Sequence, residues 1–133
     1  MKQQAHRSQL WIEKAEEDLR WAQLSLKHGF YSQVCYVTQQ VAEKALKAYL
    51  IFHSISPEKL RTHILPALLK MSKETNPKFK RLDLSVRVLS RYYIPTRYPP
   101  DSGPLGEFSE KEAREAVKLA EEILKFVKKE IVI

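Results

Sequence analysis

The sequence predicts an all-α protein, an up-and-down antiparallel bundle of about five helices, and three observations point there. Glycine is scarce, at 3 of 133 residues, and the chain is rich in Lys, Glu, Leu and Ala, a mix that favours helix over sheet. Apolar residues recur at three- and four-residue steps in one stretch after another. The connections between those stretches are short, which sets neighbouring helices antiparallel. A chain of 133 residues suits one domain and buries about two-thirds of the surface its unfolded form exposes.

The first helix is expected over residues 8–27. Trp11, Ala15, Leu19, Ala22 and Leu26 share one face, and His28-Gly29 supplies the stop. The second is expected over residues 31–53. Val34, Thr38, Val41, Ala42, Ala45, Ala48, Tyr49 and Phe52 cover a broad arc, leaving Gln33, Gln40, Glu43, Lys44 and Lys47 on a narrower polar stripe. A helix that apolar packs on two sides and belongs at the centre. The third, residues 57–72, opens on Pro57, where a missing N–H costs nothing. Pro66 inside it should bend or split it.

The fourth, residues 77–93, steps through Phe79, Leu82, Val86, Leu89 and Tyr93, with Lys80, Arg87 and Arg91 as a basic row on another face. Pro95, Pro99, Pro100 and Pro104 then make residues 94–108 a stiff loop. The fifth opens with the capping box Ser109 and Glu112. Ala113, Ala116, Val117, Ala120, Ile123, Leu124 and Val127 form its buried stripe.

Several classes of function are disfavoured. The lone cysteine, Cys35, leaves no disulfide framework or multi-cysteine metal site, and reads as a small core residue. His6, His28, His53 and His63 show no metal spacing. Nucleophile motifs and Gly-rich phosphate loops are absent, so no cofactor is expected. No apolar run reaches the 18 residues of a spanning helix and residues 1–10 lack a signal-peptide core, so the expected address is the cytoplasm, away from membrane.

Charge is uneven. Residues 1–42, 43–97 and 98–133 carry net +1, +8 and −2, so the middle supplies the whole excess of +7. Such a segment reads either as a phosphate or nucleic-acid footprint or as solvated Lys-rich helix. The stretch Arg91-Tyr92-Tyr93-Ile94-Pro95-Thr96-Arg97-Tyr98-Pro99-Pro100 sharpens the choice. Guanidiniums offer planar forks to phosphate and aromatic rings offer stacking to bases. Alternatively, the tyrosines cover the bundle end and the arginines cap helix carbonyls.

Four stretches together resemble the HEPN family, helical-bundle proteins of bacteria and archaea named for nucleotide binding. They are Ala15-x-x-Asp18-Leu19-x-x-Ala22 ahead of Gly29-Phe30-Tyr31; Gln39-Gln40-Val41-Ala42-Glu43-Lys44-Ala45-Leu46-Lys47-Ala48; Thr62-His63-Ile64-Leu65; and Tyr93-Ile94-Pro95-Thr96-Arg97-Tyr98-Pro99. They follow the family's order across roughly residues 8–128. The resemblance implies a bundle of about five helices, frequent homodimers, and frequent pairing with a minimal nucleotidyltransferase encoded alongside in toxin–antitoxin-like gene pairs.

One departure matters. Many HEPN proteins are metal-independent ribonucleases built on an arginine followed, after four to six residues, by a histidine. No histidine here has an arginine at that distance. Transferase-linked members add a tyrosine two residues past the histidine. Arg91, Thr96 and Tyr98 keep that spacing with threonine in the histidine's place, and threonine is no general base near neutral pH. The expectation is a HEPN scaffold with no catalytic residue. Its nucleotide or RNA phosphate contacts would be Lys80, Arg87, Arg91, Arg97, Tyr98 and His63, and its cleft or partner contacts Gln40, Glu43, Lys44, Lys47 and Thr96. The alternative is a divergent ribonuclease using Arg91, Arg97 and His63. Tyr98 has two readings: an acceptor hydroxyl for a partner transferase, or a ring packed on the bundle.

Overall fold

The computed structural model describes residues 2–93 and 108–131, and every regular element among them is helical. The α-helices are α1 (Lys2–Lys27), α2 (Tyr31–Phe52), α3 (Leu65–Thr75), α4 (Asp83–Ser90) and α5 (Glu110–Glu130). Short 3-10 segments, Pro57–Leu60 and Pro77–Leu82, precede α3 and α4. They form the expected bundle. Helix α2 is its axis, packing against α1, α5, α3 and α4.

Glycine ends α1 as the sequence indicates. Gly29 has φ +80°, and the N–H groups of Gly29 and Phe30 reach back to the carbonyls of Leu26 and Ser25. This is a Schellman closure that satisfies otherwise orphaned acceptors. The same closure ends α2, where Ser54 and Ile55 donate to Ile51 and Leu50. There a serine at φ 61° occupies the left-handed position usually left to glycine.

Helix α1 departs from expectation in two ways. It begins at Lys2, a turn and a half before Ser8. Ser8, the expected first residue, lies inside the helix, and its buried hydroxyl donates to the carbonyl of Ala48 at 2.8 Å, tying α1 to α2. The buried stripe is also rotated: Ser8, Ile12, Ala15, Ala22 and Ser25 are covered, whereas Trp11, Leu19 and Leu26 flank the core half-exposed. Two serines on the inner face hide that stripe from a purely apolar reading.

The two prolines act as their chemistry requires. Pro66 splits the expected third helix, leaving Pro57–Leu60 as a separate turn and sitting itself in the first turn of α3. The expected fourth helix divides too, into the 3-10 segment Pro77–Leu82 and α4. Phe79 anchors that 3-10 segment in the core, with its ring centroid 4.2 Å from Tyr49 and 5.0 Å from Phe126. Helix α5 matches in full: the Ser109–Glu112 capping box is formed, and the seven buried side chains are those its periodicity selects. No helix among the described residues is long and apolar enough to cross a membrane.

Candidate functional site

The polar stripe expected on α2 is largely covered. Glu43 and Lys47 have side chains only 5% and 7% exposed, and they pair at 2.9 Å one turn apart. The same carboxylate oxygen of Glu43 lies 2.9 Å from Nδ1 of His63, just before α3. A carboxylate only accepts, so this contact orients the ring with Nδ1–H toward Glu43. His63 itself stays 60% exposed, and its Nε2 has no protein partner among the described residues. Lys47 also sits over the ring of Trp11, 5.7 Å from the centroid, within cation–π range.

Neighbouring polar groups complete the cluster. Gln39, fully buried, donates to the backbone carbonyl of His63 at 3.4 Å, and its own side-chain oxygen accepts from Gln40 at 2.7 Å. Lys44 pairs with Asp18 of α1. Their pair forms one wall of a cleft of about 370 Å³ whose other lining is Leu10, Trp11 and Lys14. One oxygen of Glu43, Oε1, is buried with no hydrogen-bond partner among the described residues. Chemically, the cluster is a buried carboxylate that orients an exposed imidazole, as a general base would be oriented.

The basic row occupies another element. Lys80, Arg87 and Arg91 are exposed, and their side chains have no hydrogen-bond or ion-pair partner among the described residues. Three residues per turn in the 3-10 segment and 3.6 in α4 keep them within about 80° of one another. Among the described residues, their charge is therefore uncompensated. Arg91, the C-terminal cap residue of α4, does not fold its side chain back on the helix carbonyls.

Tyr92 takes the packing role. It is buried edge-on against Phe108, with centroids 5.1 Å apart. Burial pushes its phenol up to about 12. The Cys35 thiol, also buried, rises to about 11, which makes it the inert core residue its helical position indicates. Thr96, Arg97, Tyr98 and the prolines around them lie outside the described residues.

The expected contact residues thus fall into two groups. His63, placed with the cationic row by the sequence, is held instead by α2 through Glu43 and Gln39. Trp11, Asp18 and Gln39 join the cluster without having been named as contacts; the signal for the last two was their presence in the family-like stretches.

The HEPN domain family model matches residues 8–131. The chain belongs to the HEPN family. It is 35% identical to "Putative toxin MJ1304" of Methanocaldococcus jannaschii, over 91% of this chain and 86% of that protein. Two crystal structures are similar in sequence and fold. TT1696 from Thermus thermophilus shares 37% identity at a TM-score of 0.81. ST0689, an archaeal HEPN homologue, shares 34% at 0.76. Each comparison spans 94% of this chain and 98% of the other.

Within this HEPN fold, three of the four family-like stretches converge. Asp18 comes from the first, Gln39, Gln40, Glu43, Lys44 and Lys47 from the second, and His63 from the third, and direct side-chain or backbone contacts connect them within two neighbouring groups. The fourth stretch follows α4, beside the basic row.

Proposed function

We propose that this HEPN protein is a non-catalytic binding module of a toxin-like two-gene system, taking nucleotide or RNA phosphate on its cationic face. The observation that carries the reading is the exposed row Lys80, Arg87 and Arg91, unpaired among the described residues, which in sequence leads into Arg97 and Tyr98. Likeness to a relative named as a toxin supports the toxin-like setting. The test is titration of a single-stranded RNA oligonucleotide at several salt concentrations. Affinity should fall steeply with salt, by about 0.7 log units per log unit for each phosphate neutralised. Replacing Lys80, Arg87 and Arg91 together by alanine should lower affinity at least tenfold and reduce the slope by about 2. Unchanged affinity and slope would make these residues solvated surface.

The Glu43–His63 contact favours a second reading, a divergent ribonuclease, because a buried carboxylate holds an imidazole whose Nε2 is free of protein partners among the described residues. The same titration reads both. Intact RNA at the end supports the binding module, and cleavage that vanishes in both His63→Ala and Arg91→Ala would assign the enzyme.

Two partners belong to the proposal. One is a second copy of the chain: Leu10, Trp21 and Leu24 lie off the buried face of α1 and are 48%, 54% and 58% exposed, apolar surface that a lone protomer leaves in water. Light scattering at tens of micromolar should give a dimer, and Trp21→Glu should shift it toward monomer; a wild-type monomer overturns this. The other is a minimal nucleotidyltransferase, with the Tyr98 hydroxyl as acceptor. Co-expression should add a nucleotidyl mass that Tyr98→Phe abolishes, and an unmodified complex leaves Tyr98 a packing or interface residue.

A further inference from the structure

Helices α1 and α5 run antiparallel with a shallow groove of about 490 Å³ between them, floored by Leu19 and Leu124. Two polar straps mark its length. Lys128 bonds Glu16 at 2.7 Å near one end, and Gln23 bonds Glu121 at 2.8 Å near the other. The straps are seven residues apart on each helix, about 10.5 Å or two turns. The straps therefore engage both acidic residues of the groove lining, Glu16 and Glu121. The remaining polar lining is Arg20, Lys125 and Lys129, all exposed and without a partner among the described residues. The groove is apolar along its floor, carries a cation without a partner among the described residues on each wall, and is net positive, with Arg20, Lys125, Lys128 and Lys129 against Glu16 and Glu121.

We propose that this groove docks an acidic amphipathic helix of a partner protein. The occupant would lay leucine-type side chains on Leu19 and Leu124, with glutamates or aspartates on both flanks meeting Arg20 on one wall and Lys125 and Lys129 on the other. Charge complementarity selects it. A leucine from each helix, set between straps two turns apart, gives the apolar stripe of a helix seated in a groove its contact. Nucleic acid fits worse: no aromatic ring among the described residues lines the groove for base stacking. The site lies on different helices from the row Lys80, Arg87 and Arg91, so it goes beyond the function proposed above and stands independently of it.

The probe is a fluorescein-labelled, amidated, helix-favouring peptide of about fourteen residues, with a leucine stripe flanked on both sides by glutamates. Fluorescence anisotropy with the full chain should show saturable binding, and Lys125→Glu with Lys129→Glu should weaken it at least tenfold, because like charges then face each other. A peptide with lysines in place of the glutamates should prefer that reversed protein, so loss of the first peptide cannot be mistaken for loss of fold. RNA affinity should be the same in wild-type and reversed protein, which separates this site from the cationic face. No saturable binding of the acidic peptide, equal binding to both proteins, or displacement of the peptide by oligouridine would each overturn the proposal.

Discussion

Replacing Glu43 by leucine is expected to cost about 3–5 kcal/mol of folding stability. The carboxylate is almost wholly buried and, among the described residues, is the only anion paired with Lys47, which is buried as well. Removing it leaves an ammonium out of water with the face of Trp11 as its remaining electrostatic support, and an uncompensated buried charge costs far more than a surface pair is worth. Lys47→Met should cost less, because Glu43 keeps its contact with His63. The double variant Glu43→Leu with Lys47→Met should recover most of the loss, since apolar groups of similar volume replace a buried pair at little net cost. Urea unfolding of the four proteins gives the coupling directly. A Glu43→Leu protein within about 1 kcal/mol of wild type would mean that solvent, and not Glu43, compensates Lys47.

Phe79→Ala should be as severe, at about 3–5 kcal/mol. The ring is fully buried and is wedged between Tyr49 of α2 and Phe126 of α5 at centroid distances of 4.2 and 5.0 Å. Truncation removes both ring contacts and opens a cavity where three elements meet. For a domain whose total stability is on the order of 5–15 kcal/mol, either variant is a large fraction of the whole. Leu84→Ala is the control: at 66% exposure it should move stability by less than about 0.5 kcal/mol. Denaturant midpoints check the contrast, and a Phe79→Ala midpoint close to that of Leu84→Ala would mean the neighbouring rings refill the space.

Helix α5 shows how much of the fold is legible without coordinates. Its capping box and all seven buried side chains follow from local spacing, because a helix lying on the surface of a bundle has one inner face and its periodicity records it. Helix α1 obeys the same rule less cleanly. Ser8 and Ser25 are on its inner face, and a hydroxyl can be buried there when a carbonyl of the neighbouring helix accepts it, as Ala48 accepts Ser8. That acceptor is forty residues away in sequence, so the local pattern carries no trace of it.

The candidate site divides along the same line. Composition, periodicity and the four motif stretches determined by themselves an all-helical bundle, the HEPN family, the turn chemistry at Gly29, Pro66 and Ser109, and a basic row on one face of the fourth helical segment. Each depends on residues at most a few turns apart, or on motifs read in order. Only the tertiary structure decided that Glu43 and Lys47 are buried beneath Trp11 and His63, and that His63 serves α2. A polar stripe is the same in sequence whether water or another helix covers it. Tertiary structure alone also made the groove between α1 and α5. Its cations Arg20, Lys125 and Lys129, unpaired among the described residues, come from two segments of net charge +1 and −2, where the count along the chain conceals them. Folding collects these cations beside Leu19 and Leu124 while Lys128 and Gln23 occupy the nearby carboxylates: charge adds up by distance in space, and that distance is set by how the helices pack.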